Sequence, residues 1–277
     1  MPQVIKIPHL NHLHFHRYPS ESFAPDVIPS FEEDRIYLQK FVRNIDEIYF
    51  QVHVIPDFVT SIGFYLEGVD GTTLPLTGSS VGSLNGYDIW HIYSDNFWTL
   101  PAGVYFVVLE VTVNMGLDDI VKKYVSEPVK MVESLPESLL IKYSHGRNEF
   151  DFAFYPDGTP ESKRSYFLRI EGGVMSDGFN PGSKDSYFVD QDREVLLLDS
   201  RPFNVYEFTF GPGSGLPNWM ADKINRILSL SDIRINNESY VKNEGAKLEP
   251  VRDKGYPLAG WKIEMVKSET DDAIIED

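Results

Sequence analysis

Short runs in which hydrophobic and polar residues alternate dominate this sequence, and a period of two predicts β-strands. The run at residues 46–55, DEIYFQVHVI, places four apolar side chains on one face: Ile48, Phe50, Val52 and Val54. Gly, Pro, Asn and Asp separate the runs, with a spacing typical of β-sandwiches and barrels. Further runs in the first half are residues 61–68, 87–93 and 100–113. The last of these is almost continuously apolar, which predicts a strand at the centre of a sandwich.

A second group of β-type runs begins after a polar break at residues 132–138, VESLPES. A Leu-Pro pair in a polar stretch is typical of a linker. We therefore predict one domain at residues 35–134 and another at residues 135–267. The runs of the second group are residues 138–145, 150–156, 164–172, 186–190, 193–200 and 205–211, followed by short strands at 232–237 and 238–245 and a last segment at 256–266.

One segment, residues 217–230 (PNWMADKINRILSL), has the period of an amphipathic helix. Its apolar stripe contains Met220, Ile224, Ile227 and Leu228. Its charged side chains fall on other faces: Asp222, Lys223 and Arg226. The predicted fold is therefore mainly β, with two β-sandwich-like domains and one amphipathic helix inserted in the second.

The two ends of the chain lie outside these domains. We expect residues 1–34 to form an N-terminal arm and residues 268–277 to form an acidic C-terminal tail. The last ten residues, SETDDAIIED, carry five acids and no base. Such a segment is solvated or is ordered by a partner. Deleting residues 1–20 is expected to impair assembly and to leave the melting of the core unchanged.

The formal net charge of −17 repels nucleic acid and anionic membranes unless a basic patch overrides it. The densest cationic stretch, Lys163-Arg164, has only two residues, so we expect neither nucleic acid nor membrane as a partner.

The absence of cysteine excludes disulfides, thiolate zinc sites and cysteine nucleophiles. No run reaches the roughly 18 apolar residues that span a bilayer, and no secretory signal opens the chain. These features indicate synthesis in a cytoplasm.

Four of the seven histidines lie in the segment PHLNHLHFH at residues 8–16. If this segment is extended, three imidazoles share one face at roughly 6–7 Å spacing: His12, His14 and His16. A fixed zinc site needs three or four ligands and groups that orient them, and Glu21 is the only carboxylate nearby. We therefore favour an edge strand or docking arm over a metal site.

Three short patterns could suggest catalysis or ligand binding. GSSVG at residues 78–82 matches the hydrolase nucleophile pattern around Ser80, but a loop and a strand follow it where such enzymes place a helix. GPGSGLPNW at residues 211–219 lacks the spacing of a dinucleotide or phosphate loop. DQDRE at residues 190–194 lacks the spacing of a calcium loop. We predict no catalytic residue, no cofactor and no metal, and therefore no enzyme.

Aromatic residues of the first domain are the remaining candidates for a binding site: Trp90, Tyr93, Phe97, Trp98 and Tyr105. Exposed rings stack on sugars in carbohydrate-binding β-sandwiches, whereas the strands of a sandwich also fill their own core with such rings. The core interpretation is favoured. His91 and Tyr93 are the side chains that we expect to be exposed.

Longer phrases of the sequence carry a resemblance. The first half contains YLQKFVRNIDEIYFQV, YLEGVDGTTLPL and LPAGVYFVVLEVTV, and it looks like an immunoglobulin-like module. The second half contains FVDQDREVLLLDSRPFNVYEFTFGPGSG and GYPLAGWKIEM. Together the halves resemble β-rich virion proteins of phages and prophages of Bacteroidetes, including crAss-like phages. In that group such proteins serve as tail or neck components, including stacked rings.

The resemblance implies a non-enzymatic structural protein located in the virion, as a subunit of an oligomeric tail or neck assembly. Its partners would be further copies of itself in a ring-like homo-oligomer and other tail or neck proteins. A carbohydrate- or receptor-binding β-sandwich module is the alternative. The candidate assembly contacts lie in the two ends of the chain: His9, His12, His14, His16, Glu269, Asp271, Asp272, Glu276 and Asp277.

Overall fold

The computed structural model describes residues 4–17, 38–43, 45–94, 101–114, 116, 119–175, 180–191, 193–211, 215–251 and 258–268. Within these ranges the chain forms twenty β-strands and one α-helix. The predicted mainly β fold with a single helix is therefore confirmed. The immunoglobulin-like topology of the first half stays a prediction.

Two sheets build the first unit, residues 4–132. Its strands are β1 (Ile5–Lys6), β2 (Phe15–Arg17), β3 (Gln39–Val42), β4 (Tyr49–Val54), β5 (Val59–Gly68), β6 (Thr73–Pro75), β7 (Thr77–Leu84), β8 (Tyr87–Tyr93), β9 (Gly103–Asn114), β10 (Asp119–Ser126) and β11 (Val129–Val132). One sheet has the order β1-β4-β8-β7, and the other has the order β2-β10-β9-β11-β3. Strand β5 pairs with the edge of β9 that lies opposite β10. Strand β9 is therefore at the centre of the second sheet, as its apolar run predicts.

A third sheet and the helix build the second unit, residues 138–268. Its elements are β12 (Ser138–Ser144), β13 (Tyr166–Glu171), β14 (Val174–Met175), β15 (Pro181–Val189), β16 (Val195–Phe210), α1 (Asn218–Ile227), β17 (Asp232–Ile235), β18 (Glu238–Lys242), β19 (Glu249–Val251) and β20 (Gly260–Lys267). The sheet has the order β13-β12-β17-β18-β20-β16-β14. Strand β15 pairs with β16, and β19 pairs with β20.

Each unit encloses its own hydrophobic core. In the first, the apolar face of β4 packs against alternate side chains of β9 such as Val107 and Leu109. In the second, α1 places the predicted stripe, Met220, Ile224, Ile227 and Leu228, against the sheet. Alternation and helical period therefore identified these two inner faces correctly.

Residues 150–156 do not form the predicted strand. The backbones of Phe150 and Asp151 have φ angles of 53° and 56°, in the left-handed region that interrupts an extended chain. The apolar residues that follow, Phe152 to Phe154, are buried as an irregular segment within the second core. The apolar character of these residues therefore correctly indicated that they are buried, but it did not indicate a strand.

The second unit covers the outer face of β4, which carries the polar residues of the alternating run. Gln51 and His53 are both buried there, although they lie on the polar face of the strand. At one side of this junction the guanidinium of Arg169 binds the Asp46 carboxylate through two hydrogen bonds of 2.6 and 2.8 Å. The boundary between residues 134 and 135 stays a prediction, and the two units on either side of it share an extensive buried contact.

Candidate functional site

The N-terminal segment joins the two units instead of projecting as an arm. Strand β1 pairs with β4, and β2 pairs with β10, both in the first unit. Between them, Leu10 is fully buried in the second core, while Leu13 is buried in the first. Residues 4–17 are therefore not a free arm, because their apolar side chains complete both cores.

His9, His12 and His14 do not share one strand face, because residues 9–13 form turns and bends and extended backbone in the histidine tract begins at Phe15. His12 is 3% exposed and contacts the ring of Phe41. Burial, with a smaller effect of the nearby Lys223, lowers the pKa of His12 to about 3. His12 is therefore a neutral interior side chain that cannot contact a second copy.

His9 and His14 pack on helix α1. His9 Nε2 lies 3.1 Å from a carboxylate oxygen of Asp222, and the His14 ring stacks on Trp219 with 4.7 Å between ring centroids. In the part of the chain that the structure describes, no group of three or more His, Asp or Glu side chains is arranged to hold a metal ion. The predicted contact His16 lies in β2, but its side chain is outside the description. The predicted tail contacts are outside the described residues: Glu269, Asp271, Asp272, Glu276 and Asp277.

Lys223 fixes the N-terminal segment to the helix. Its Nζ donates hydrogen bonds to the carbonyl oxygens of Asn11 and Leu13, and the side chain is fully buried. Burial lowers its pKa from 10.5 to about 7. Lys223 lies outside the apolar stripe of the helix, as the helical period predicts, and it is buried because the N-terminal segment covers that side.

Replacing Lys223 with Met is expected to lower the free energy of unfolding by about 2–4 kcal/mol at pH 9, because two buried carbonyls lose their donor. The folded amine has a pKa of about 7, below that of the unfolded chain, so the unfolded state binds more protons between pH 7 and 10.5. Wild-type stability therefore rises with pH across this window, and the variant lacks that rise. Denaturant unfolding at pH 7.5 and pH 9, where histidines no longer titrate appreciably in either state, measures both effects. Arg226→Met, on the exposed side of the same helix, is the matched control and should retain the rise.

A buried network of polar side chains fills the junction between the two units. The Gln51 amide donates to the Tyr166 hydroxyl at 2.9 Å, and its Oε1 lies 2.7 Å from His53 Nε2. His91 lies between the hydroxyls of Tyr49 and Tyr166. Burial lowers the pKa values of His53 and His91 to about 4. The network therefore holds neutral imidazoles that orient the two units. Its members are buried except for Tyr49, which is half-buried.

The other sequence candidates occupy ordinary positions in the first unit. Ser80 lies within β7, paired with Trp90 of β8, and not at a turn from a strand into a helix. Tyr105 is buried in the core, and its hydroxyl donates to the carbonyl of Pro101. The prediction that His91 is exposed is wrong, because the second unit covers it. Phe97 and Trp98 are outside the described residues.

A long hairpin carries the most exposed apolar surface of the second unit. Residues 181–189 of β15 pair with residues 195–204 of β16, and only the continuation of β16 enters the large sheet. We call residues 181–200 the hairpin arm. Seven large apolar side chains of the arm are between 51% and 66% exposed: Tyr187, Phe188, Val189, Val195, Leu196, Leu197 and Leu198.

Both faces of the hairpin arm are apolar. The pairs Tyr187–Leu197 and Val189–Val195 place four side chains on one face, and the pair Phe188–Leu196 lies on the other. A two-stranded hairpin has only marginal stability in water, and natural monomers rarely expose a contiguous apolar patch of this size. The arm is therefore the best candidate for an interaction surface.

The sequence predicted the two strands of the arm as part of the second domain but did not predict that they project from the fold. The run VLLL at residues 195–198 belongs to one of these predicted strands. A strand that is apolar on both faces has the same pattern whether it is buried or projects from the fold. The paired runs on either side of the charged turn DQDRE at residues 190–194 are the available signal of a projecting hairpin.

Comparisons of the chain with protein-family models, curated proteins and solved structures found no match. Within the described ranges, none of the helical segments has the length and apolar character needed to cross a membrane. The hairpin arm and the buried junction are therefore interpreted from their own geometry.

Proposed function

We propose that this chain is a non-enzymatic structural protein of a phage virion, a subunit of an oligomeric tail or neck assembly. The observation that carries the proposal is the hairpin arm, with seven exposed apolar side chains on two faces. The phrases that resemble virion proteins of Bacteroidetes phages support the same proposal. In this role the arm is covered by another subunit in the assembled particle.

The energetics of the arm favour a protein partner. At roughly 100 Å² for each exposed side chain, its apolar surface is on the order of 700 Å², close to the roughly 800 Å² that each partner buries in a standard interface. Covering the arm would also place hydrogen-bonding groups next to the outer edge of β15, which pairs with none of the other described strands except β16.

Light scattering with size exclusion tests this proposal. We expect concentration-dependent self-association, stronger at higher salt because salt screens the repulsion between chains of net charge −17. Electron microscopy of the same sample should show closed rings or stacks. A protein that stays monomeric at high concentration and binds glycans would contradict the proposal and favour the carbohydrate-binding alternative.

Introducing two acids into the arm should block the association. The variant Leu196→Asp/Leu197→Asp is expected to weaken self-association at least tenfold, because it places charges on both apolar faces. The matched control is Ile120→Asp/Val121→Asp, which adds the same charge to two exposed apolar residues of the β9–β10 hairpin. Equal loss in both variants would indicate a charge effect and would count against the arm. Sedimentation velocity measures the association of both.

A further inference from the structure

An apolar groove opens on the surface where the two units meet. Its volume is ≈ 230 Å³, enough for about one or two side chains the size of Leu or Phe. The first unit contributes Phe41 and Ile45 to its lining, and the second contributes Leu140 and Phe167. Ile45 is 68% exposed and Phe167 is 44% exposed, so apolar groups of both units are open to solvent here.

The charged groups of the groove are largely neutralised within the chain. Asp46 and Arg169 line the groove and are bonded to each other by two hydrogen bonds, which leaves Glu47 as the remaining charged residue of the lining. An apolar segment that enters therefore meets aliphatic and aromatic surface and desolvates few isolated charges.

We propose that the hairpin arm of one copy docks into this groove on a second copy of the chain. The inference rests on the proposed assembly function and names the contact through which it works. Within one copy the arm and the groove do not meet, because Leu197 is 58% exposed while Ile45 and Phe167 remain open. The groove has room for one or two side chains of the arm, such as Leu197, which would contact walls from both units at once.

This contact has a direct consequence for symmetry. The arm and the groove are different surfaces, so the contact joins the front of one copy to the back of the next. Each copy gives one arm and receives one, and both surfaces are used throughout a closed ring. If the rotation between copies does not close, the same contact produces a filament.

Disulfide trapping tests the contact cleanly, because the chain contains no cysteine. The double variant Phe167→Cys/Leu197→Cys places one thiol in the groove and one on the arm. Under mild oxidation we expect a ladder of dimers, trimers and larger species on a non-reducing gel. An equimolar mixture of the two single variants should give dimers only, because each copy then has one reactive side.

Two matched variants define the background and the alternative contact. Val69→Cys/Leu197→Cys has a similarly exposed partner site outside the groove and should show little trapping, since Val69 is 52% exposed. Leu197→Cys alone should also stay monomeric. If Leu197→Cys alone forms dimers as readily as the double variant forms the ladder, arms pair with arms and the proposal is overturned.

The outcomes separate this inference from the proposed function. If the wild-type chain self-associates by light scattering but neither Phe167→Cys nor Ile45→Cys traps Leu197→Cys above the Val69 background, the docking proposal fails and assembly stands. If the wild-type chain never self-associates, the assembly proposal itself fails. The Ile45 variant also covers the case in which replacing Phe167 unfolds the chain, which thermal melting of each variant detects.

Discussion

A chain that lacks residues 1–17 is expected not to fold to the native structure. Four buried apolar residues leave the two cores, at about 1.5–3 kcal/mol each: Val4, Ile5, Leu10 and Leu13. Lys223 loses both of its carbonyl acceptors, and Gln51 loses its backbone hydrogen bonds with the Asn11 side chain. The combined loss equals or exceeds the roughly 5–15 kcal/mol by which a native protein is stable.

Circular dichroism and thermal melting of the chain 18–277 measure this loss. A synthetic peptide of residues 1–17 should restore folding when added in excess, because it supplies the missing side chains in trans. The same peptide with Leu10→Asp is the control and should not restore it. A truncated chain that melts cooperatively at the wild-type temperature would contradict the structural role and support the original expectation of a free arm.

Acid is expected to unfold the protein between about pH 6 and pH 4.5. Burial lowers the pKa of His9, and it lowers the pKa values of three other histidines further, His12 to about 3 and His53 and His91 to about 4. The unfolded chain binds a proton at each near pH 6.5, so below that pH the unfolded state binds more protons and stability falls as the pH falls. At pH 5 the three sites together lower the free energy of unfolding by about 6 kcal/mol relative to pH 7.

Denaturant unfolding at half-unit steps from pH 7.5 to pH 5 measures how the free energy of unfolding changes with pH. The slope of that plot should approach the value for three protons released on folding. His53→Gln is expected to reduce the slope by one proton, because glutamine does not titrate. His145→Gln removes a histidine beside Glu149 in the second unit, outside the buried network, and is the matched control. A wild-type stability that does not change from pH 7 to pH 5 would contradict the assignment of neutral buried imidazoles.

Much of the fold follows from local sequence pattern. Period-two runs identified most strands, including the central β9, because alternation reports directly which side chains can face a core. The stripe of α1 was identified for the same reason, with a period of 3.6. Residues 150–156 are an exception, since their apolar side chains are buried by an irregular backbone and no local pattern distinguishes that from a strand.

The candidate site was much less accessible to sequence reasoning. Three polar side chains lie on the faces of β4 and α1 that the apolar residues do not occupy: Gln51, His53 and Lys223. They are buried only because distant segments of the chain cover those faces. The histidine tract was expected as an arm, because nothing local shows that Leu10 and Leu13 belong to different cores. In the hairpin arm, by contrast, an apolar run projects from the fold, and its local pattern does not distinguish this from burial.

The sequence by itself determined the mainly β class, the position of the single helix and the inner faces of its main strands. These properties depend on side-chain periods that are fixed within each element. Only the tertiary structure decided which outer faces are covered, which histidines are neutral and which apolar hairpin remains open. Those properties depend on contacts between residues far apart in the chain, such as Lys223 Nζ and the carbonyl of Asn11, and no local period records them.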